Sequence, residues 1–391
     1  MSRIVWFHPR QLMPPRGGGE FRSTGLVEGA LAAGHEVLLV HPDDGPEYVD
    51  PLPQRLQVAT VQLRAGLSRA SAKVLARDPL RAPQATPGSI AQARSTIEEF
   101  APDLAIVSQV MSWSLARRLL PDVPWIYDAH NVEHELFDSH LSTSTTAIDR
   151  LTFGVDARRV ARAERDLLER STVTLAVSQE DADGLARVAA PRRPPVVVPS
   201  SMAPSSRLAR PSEAGAAVLF VGTLDFPPNV EAIGDLVREV MPRVVAEVPS
   251  ATLLVAGRHP SQDIRALLRS QPWIEFVEGA PDIGELYLRA RCAALPFRSG
   301  SGTKLKLYEA LSFALPVVAT PKAISGVDVV PGSDLLVGAD TVEIIASLVD
   351  VLRDDELADG LGAAGRRAFD ERLSWEKAAH PVLRQVLADL V

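Results

Sequence analysis

Leu295-Pro-Phe-Arg-Ser-Gly-Ser-Gly-Thr-Lys-Leu-Lys-Leu-Tyr-Glu-Ala-Leu-Ser-Phe-Ala-Leu-Pro-Val-Val-Ala-Thr320 joins the end of an apolar run to a glycine- and serine-rich loop, a helical pattern and a second apolar run. The helical pattern covers Leu305–Phe313, and the second run predicts a strand at Pro316–Ala319. Strand, helix and strand in this order form the unit from which parallel sheets are built. The stretch therefore predicts an α/β fold.

The loop in this stretch has the composition of an anion-binding site. Gly300 and Gly302 allow the backbone to approach a ligand closely. The helix is expected to start near Thr303, and free N–H groups and the helix dipole favour an anion there. Lys304 and Lys306 add positive charge. A surface helix beside a flexible loop is the alternative, and the phosphate site is favoured because all these features coincide.

Glu309 follows in the same predicted helix. Each oxygen of its carboxylate can accept a hydrogen bond from one hydroxyl of a ribose diol. Hydrogen bonds to a charged group are worth roughly 1.5–3 kcal/mol. The stretch thus predicts a nucleotide site, with the diphosphate on the loop and the ribose on Glu309.

The same alternation of apolar runs and helical patterns extends along the chain, and predicted helices include Phe21–Ala33, Ala157–Leu168 and Val230–Val245. The other predicted strands are Ile4–Phe7, Val37–Val40, Leu104–Val107, Trp125–Tyr127, Val173–Val177, Val196–Val198, Val218–Val221, Thr252–Ala256, Ile274–Val277, Ala293–Leu295 and Leu335–Val337. This pattern predicts two doubly wound, Rossmann-like domains.

The domain boundaries follow from a stretch rich in Pro, Ser, Arg and Ala at residues 191–216, which has the composition of a linker. We expect an N-terminal domain at 1–205, a C-terminal domain at 206–372 and a terminal helical segment at 373–391. The sequence leaves open which of the two domains this segment packs on. Ligands of doubly wound sheets bind at the carboxyl ends of the strands. The site is therefore expected in a central cleft that the two domains face.

Composition excludes some classes of function. The 391 residues suit two domains at roughly 150 residues each. A formal net charge of −8 argues against general nucleic-acid binding, which needs a basic surface. The single cysteine, Cys292, forms no internal disulfide and is expected in a buried strand, which suits a reducing cytosol.

Neither a signal peptide nor a membrane span is predicted, because no apolar segment has the required length. The basic segment Arg64–Arg81 has near-helical spacing of its apolar residues and could contact an anionic membrane, although a solvated surface helix is favoured. We expect a cytoplasmic protein whose membrane contact, if any, is peripheral at the inner face.

The opening stretch resembles the donor-binding signature of the family-4 retaining glycosyltransferases. Glu309-Ala310 and Leu315-Pro-Val-Val318 match its second half, in which the family's second glutamate grips the ribose. The family's first glutamate falls at Ser301. The chain instead resembles a subgroup with Gly-Ser-Gly-Thr-Lys-Leu-Lys at this place, in which loop amides and Lys304 take over donor contacts.

The resemblance continues in Phe220-Val-Gly-Thr-Leu-Asp-Phe-Pro-Pro-Asn-Val230. The family's arginine and lysine for the diphosphate fall at Thr223 and Asn229, so another group must supply the charge. The candidates are Lys304, Lys306, Arg298 and Arg258. The donor-binding residues that the resemblance implies are Gly18, Gly19, Gly222, Thr223, Arg258, Arg298, Ser301, Gly302, Thr303, Lys304 and Glu309.

A glycine cluster, Pro14-Pro-Arg-Gly-Gly-Gly-Glu-Phe-Arg22, follows the first predicted strand and opens a helix. Gly18 and Gly19 would allow close approach to donor phosphates or sugar. Dehydrogenases begin similarly, but their glycine order is G-x-G-x-x-G and an acidic residue ends their second strand. Neither feature is present, so a nicotinamide oxidoreductase is disfavoured.

Tyr127-Asp-Ala-His-Asn-Val-Glu-His134 resembles the Asp-x-His-Asn-Val-Glu signature of the same subgroup. The resemblance places His130 near the donor sugar and acceptor. It implies that Asp128, Asn131 and Glu133 bind sugar hydroxyls. A helix start capped by Asn131 or Asp128 is one alternative. A metal site on His130 and His134 is another, ranked low because no third ligand is evident.

Asp181-Ala-Asp183 has the form of a metal-binding Asp-x-Asp motif. Ser178 lies three residues before Asp181, and this spacing is typical of a capped helix start with acidic residues in the first turn. We interpret the segment as a helix cap.

The resemblance implies a GT-B glycosyltransferase that transfers a sugar with retention from a nucleotide diphosphate sugar, with UDP the commonest donor nucleotide and GDP and dTDP as alternatives. His130, Lys304 and Glu309 are the expected catalytic residues, and no metal or other cofactor is expected. The acceptor would be a glycan, a lipid-linked glycan or a natural-product small molecule. The rival hypotheses are a non-catalytic GT-B-like binding or partner subunit and a nucleotide-sugar epimerase, and the oligomeric state is not indicated.

Overall fold

The computed structural model describes residues 1–13, 15, 18–43, 52–62, 85–135, 147–299 and 305–390, with only the backbone of residues 147–155. The chain forms two compact units. Unit 1 contains Met1–Ser200 and Ala378–Val391, and unit 2 contains Ser201–Lys377. The division at Ser200 lies within the predicted linker.

Unit 1 is built on a parallel sheet of seven described strands in the order β3-β2-β1-β4-β5-β6-β7. The strands are β1 Arg3–Phe7, β2 Glu36–Pro42, β3 Leu56–Val61, β4 Leu104–Ser108, β5 Trp125–Asp128, β6 Val173–Ala176 and β7 Val196–Val197. The order reverses between β1 and β4, where Val5 pairs with Ala105. The carboxyl ends of these two strands form the switch point at which such sheets bind ligands.

The helices of unit 1 that precede the linker cross between these strands. They are α1 Gly18–Ala32, α2 Pro87–Phe100, α3 Trp113–Leu119, α4 Ala147–Arg170 and α5 Gln179–Val188. The hydroxyl of Ser178 accepts a 3.1 Å hydrogen bond from the Asp181 N–H at the start of α5. This contact confirms the helix-cap interpretation of Asp181-Ala-Asp183.

Unit 2 repeats the architecture with six described strands in the order β10-β9-β8-β11-β12-β13, again all parallel. The strands are β8 Ala217–Thr223, β9 Thr252–Arg258, β10 Ile274–Glu278, β11 Cys292–Leu295, β12 Val317–Ala319 and β13 Leu336–Val337. The switch point of this sheet lies between β8 and β11. Cys292 is buried in β11, as expected.

The helices of unit 2 include one departure from prediction. They are α6 Pro227–Asp235, α7 Met241–Glu247, α8 Gln262–Leu268, α9 Gly284–Arg289, α10 Leu305–Ser312, α11 Pro321–Ile324, α12 Thr341–Arg353 and α13 Asp355–Ala368. A π turn, Leu236–Val240, interrupts the single helix predicted at Val230–Val245. Pro242 follows this turn, and because proline lacks an N–H, it disturbs the preceding helical hydrogen bonds.

The last helix, α14 His380–Ala388, belongs to unit 1. The His380 Nε2–H donates a 2.9 Å hydrogen bond to the Gly25 carbonyl of α1. A Cβ on Gly29 would lie 2.5 Å from the His380 ring, so glycine is needed for this packing. Of the two options left by the sequence, the terminal helix therefore packs on the N-terminal domain.

No helix within the described ranges combines the length and the apolar character needed to cross a membrane. The basic segment Arg64–Arg81 lies outside the described residues. Its membrane contact stays a prediction.

Candidate active site

A buried polar cluster lies at the carboxyl edge of the unit 1 sheet. Asp128 ends β5, and its side chain has no exposed surface. Its Oδ1 accepts a 2.9 Å hydrogen bond from Arg22 Nε. Its Oδ2 accepts from Ser108 Oγ at 2.8 Å and from His130 Nε2 at 2.9 Å. Three side chains from the described part of the chain therefore hold this carboxylate in place.

The charge of this cluster fixes the orientation of His130. Burial alone would raise the pKa of Asp128, but the charges of Arg22 and His130 hold it well below its usual range. The carboxylate is therefore ionised and only accepts hydrogen bonds, so His130 carries a proton on Nε2. Asp128 positions His130, which corrects the expectation that Asp128 binds a sugar hydroxyl directly.

Arg22 completes the cluster and was not predicted as a site residue. It lies on α1 and is buried. Its Nη1 donates to the Val198 carbonyl at 2.6 Å and to Ser200 Oγ at 3.3 Å. Ser108 is held in turn by the Trp6 indole N–H at 2.8 Å. The partners of Arg22 are more than 100 residues away along the chain, so its local sequence pattern does not indicate this role.

The predicted glycines lie where α1 begins, beside His130. Gly18 is the first residue of α1. A Cβ on Gly19 would lie 3.2 Å from His130 Nδ1 and 2.7 Å from Gln109 Nε2. The absence of a side chain at Gly19 thus lets an imidazole and an amide approach the start of the helix. The structure brings Gly19 and His130 together, as the sequence suggested, and adds Gln109.

The remaining residues of the His-Asn-Val-Glu motif make local contacts. Asn131 Nδ2 donates to Glu133 Oε1 at 3.3 Å. The side chain of Glu133 is 8% exposed, and burial raises its pKa to about 7, with the nearby Glu164 adding to the shift. A buried carboxyl of this kind is a candidate proton donor near neutral pH.

The helical turn at Glu133 is capped from a distant helix. Glu164, buried on α4, accepts the N–H groups of Glu133 at 2.7 Å and of His134 at 3.3 Å. It also accepts from His134 Nδ1 at 2.7 Å. The alternative interpretation, a helix start capped by Asn131 or Asp128, is therefore wrong. The carboxylate that satisfies the free N–H groups comes from 31 residues further along the chain.

His130 and His134 serve different partners. His130 binds Asp128, whereas His134 binds Glu164. Among the described residues, no group of three or more His, Cys, Asp or Glu side chains is arranged to hold a metal ion.

In unit 2, the end of β8 and the turn after it bring Gly222, Thr223 and Asn229 together. The amide Nδ2 of Asn229 donates to the Thr223 carbonyl at 2.7 Å. A Cβ on Gly222 would lie 2.9 Å from Asn229 Cγ and 3.1 Å from Lys306 Cε. Gly222 is therefore needed where the stem of Lys306 crosses the turn. The buried Oδ1 of Asn229 has no hydrogen-bond partner among the described residues.

Lys306 reaches this turn from the first turn of α10. Its ammonium lies 5.5 Å from the centroid of the Phe297 ring, a distance at which a cation interacts with an aromatic face. Phe297 follows β11, so Lys306 lies at the switch point between β8 and β11. The positive charge of Lys306 thus lies beside Thr223 and Asn229, which are both neutral.

Glu309 lies one helical turn beyond Lys306 and is half-buried. Its Oε2 accepts a 2.8 Å hydrogen bond from the hydroxyl of Tyr287, which is buried on α9. Burial raises the pKa of Glu309, while the hydrogen bond from Tyr287 and the charge of Lys306 oppose the rise. The Tyr287 hydroxyl fixes the position of one carboxylate oxygen.

The other predicted donor residues are less well defined. Arg298 pairs with Asp235 at 3.0 Å and lies 3.8 Å from Glu239. Arg258 ends β9 beside Thr223. Of the predicted loop residues, Ser301, Gly302, Thr303 and Lys304 lie outside the described part of the chain.

Comparisons with known proteins agree with the two-unit architecture. Residues 17–200 match the family described as Glycosyl transferase 4-like domain, and residues 215–354 match Glycosyl transferases group 1. A GDP-mannose-dependent monoacylated alpha-(1-6)-phosphatidylinositol monomannoside mannosyltransferase of Corynebacterium glutamicum is 27% identical over 156 residues. That alignment covers 36% of this chain and 40% of the relative.

Two solved structures illustrate the likeness in fold. Sucrose-phosphate synthase from Thermosynechococcus elongatus is 17% identical with a TM-score of 0.71, over 99% of this chain and 98% of that chain. HepE of Anabaena, solved in complex with UDP-glucose, is 13% identical with a TM-score of 0.68, over all of both chains. With its two Rossmann-like units each matching a glycosyltransferase domain family, the chain is a glycosyltransferase of the GT-B fold.

Proposed function

We propose that this glycosyltransferase moves a sugar from a nucleotide diphosphate sugar to a hydroxyl acceptor with retention of anomeric configuration. The observation that carries the proposal is in unit 2, where α10 bears Lys306 and Glu309 one turn apart. The stem of Lys306 packs against Gly222 at the end of β8, and Glu309 is anchored by Tyr287. A cation and a carboxylate at this spacing suit a diphosphate and its adjoining ribose.

Lys306 would neutralise the donor diphosphate. Departure of the nucleotide builds negative charge on the phosphate next to the sugar, and a fixed cation stabilises that charge in the transition state. Thr223 and Asn229 are neutral, and Arg258, which ends β9 beside Thr223, is a second candidate cation at this turn. Lys304 and the amides of the loop at 300–304 are predicted to act with Lys306. Because Lys306 would neutralise the negative charge of the diphosphate, we expect turnover without an added metal ion.

Glu309 would hold the ribose. Each carboxylate oxygen has two lone pairs, so Oε2 can accept from a hydroxyl besides Tyr287. Among the described residues Oε1 has no hydrogen-bond partner. Two ribose hydroxyls can therefore bind one carboxylate whose position is already set.

UDP is the proposed donor nucleotide and a glycan or lipid-linked glycan the proposed acceptor. HepE was solved with UDP-glucose, whereas the Corynebacterium relative depends on GDP-mannose and acts on a phosphatidylinositol mannoside. No covalent nucleophile is required for same-face attack by the acceptor hydroxyl. A peripheral membrane contact through Arg64–Arg81 would suit a lipid-linked acceptor.

A thermal-shift panel of UDP-, GDP- and dTDP-sugars tests the proposal. A ligand that binds only the folded protein stabilises it by about 2.7 kcal/mol at one hundred times its Kd. We expect one nucleotide class to raise the melting temperature. Proton NMR of the product should then show the anomeric configuration of the donor. Absence of any shift across the panel would contradict the proposal.

A further inference from the structure

Gln109 holds an unusual backbone conformation at the switch point of unit 1. It directly follows β4 and has φ 61° and ψ 147°. This region of backbone space is occupied without strain only by glycine, and residues other than glycine in it cluster at functional sites. No turn requires glutamine here, so the side chain itself needs an explanation.

Two backbone hydrogen bonds hold this conformation in place. The N–H of Gln109 donates to the Asp128 carbonyl at 3.0 Å, and its carbonyl accepts from the Ser112 N–H at 3.1 Å. The first bond connects Gln109 to the residue that positions His130. The backbone strain is thus maintained by the same elements that build the polar cluster.

The side-chain amide is oriented by His8, which follows β1. His8 Nδ1 lies 2.7 Å from the Arg10 carbonyl, so Nδ1 carries the proton and Nε2 is an acceptor. Burial lowers the pKa of His8 to about 3, which keeps the ring neutral. Gln109 Nε2 lies 3.2 Å from His8 Nε2 and therefore donates to it. This contact distinguishes the amide nitrogen of Gln109 from its oxygen.

The amide stands beside His130 at the start of α1. The position that a Cβ of Gly19 would occupy is 2.7 Å from Gln109 Nε2 and 3.2 Å from His130 Nδ1. His130 is more than nine-tenths buried, and its Nδ1 has no partner among the described residues. The same holds for Gln109 Oε1 and the second N–H of its amide. These groups can both donate to and accept from a ligand.

We propose that Gln109, together with His130, hydrogen-bonds a hydroxyl of the carbohydrate bound at the start of α1 and so determines which sugar is accepted. A hydroxyl both donates and accepts, which matches the two kinds of polar atom in the Gln109 amide better than an anion does. The inference rests on the proposed function. The hydroxyl belongs either to the donor sugar or to the acceptor.

The variant Gln109→Gly tests the inference because it removes the amide and relieves the backbone strain. We expect an unchanged or higher melting temperature and a loss of kcat/KM of tenfold or more. Gln109→Asn keeps a polar amide under the same backbone strain but withdraws it by one methylene, and it should show the same loss. Ala101→Gly is the matched control, since Ala101 has φ 46° and is exposed in the same unit. It should raise the melting temperature without changing turnover.

Two arms distinguish the source of the hydroxyl. Donor hydrolysis without acceptor falls if Gln109 binds the donor sugar, whereas only the acceptor KM rises if it binds the acceptor. Unchanged kinetics in both Gln109 variants, or a loss of activity that merely follows a loss of melting temperature, would overturn the inference while leaving the proposed function intact. A wild-type protein that turns over no nucleotide sugar would overturn both.

Discussion

The guanidinium of Arg22 and the carboxylate of Asp128 form a salt bridge of 2.8 Å in which neither side chain is more than 1% exposed. The pair joins α1 to the end of β5. Arg22 lies one helical turn beyond Gly19, and Asp128 also binds His130. A single buried carboxylate therefore fixes both the start of α1 and the imidazole beside it.

Removing one partner of this pair should be strongly destabilising. Arg22→Met leaves Asp128 buried without its counter-charge, and such changes typically cost about 3–5 kcal/mol. Urea unfolding measures this cost. The double variant Arg22→Met/Asp128→Asn should lose less stability than the sum of the two single variants. Additive losses would show that the two charges are not coupled.

His130 and His134 should differ in what their removal affects. His130→Ala is expected to lower turnover at least tenfold, because the ring faces the start of α1, and also to cost stability, because it removes a contact to buried Asp128. His134→Ala removes a contact to buried Glu164 and should cost about 1–3 kcal/mol of stability. Kinetics and thermal unfolding of both variants check this. Equal effects on turnover would contradict the separate roles.

Much of the fold was predictable from the sequence, because strands buried on both faces appear as continuous apolar runs. The predicted strands correspond to β1, β2 and β4–β13 within one or two residues at most ends. The strand β3 was missed. In Leu56-Gln-Val-Ala-Thr-Val61 the polar residues Gln57 and Thr60 interrupt the apolar run, since this strand lies at the edge of the sheet and is partly exposed.

The candidate site was predictable only in part. The motifs that contain Gly19, His130 and Glu309 indicated positions near a ligand. The partners Arg22, Glu164 and Tyr287 could not be predicted, because each comes from another element and its pairing depends on the tertiary fold. Lys306 was one of several candidate cations, and only its packing on Gly222 distinguishes it.

The buried Glu133 predicts a pH dependence of stability. Its pKa is about 7 in the folded protein against 4.5 ordinarily, so the unfolded chain releases this proton first as the pH rises. The contribution of Glu133 to stability should therefore fall between about pH 4.5 and pH 7, by about 3 kcal/mol. Glu133→Gln removes this contribution.

The comparison of the two proteins cancels the titrating groups that do not interact with Glu133. The difference in free energy of unfolding, Glu133→Gln minus wild type, should increase with pH over this range. A difference that stays constant from pH 4.5 to pH 8 would mean that Glu133 is not protonated in the folded protein.

Lys306 is expected to recognise phosphate rather than the nucleoside. Lys306→Met should weaken binding of the nucleoside diphosphate about tenfold and leave binding of the corresponding nucleoside unchanged, since only the former carries negative charge. Calorimetry with both ligands measures this. Lys377→Met is the control, because Lys377 is exposed in the same unit and no predicted ligand contact involves it. Equal losses for both ligands would contradict the assignment.

The central claim is that Glu309 holds the ribose of the donor nucleotide. The most direct measurement is the ratio of the affinities for the preferred nucleoside diphosphate and its 2′-deoxy analogue. Calorimetry would give this ratio for wild type, Tyr287→Phe and Tyr287→Phe/Glu309→Met. The single variant keeps the carboxylate, and the double variant replaces both hydrogen-bonding partners by apolar groups. We predict a ratio of about ten in the first two proteins and near one in the third. The same ratio in all three would contradict the claim.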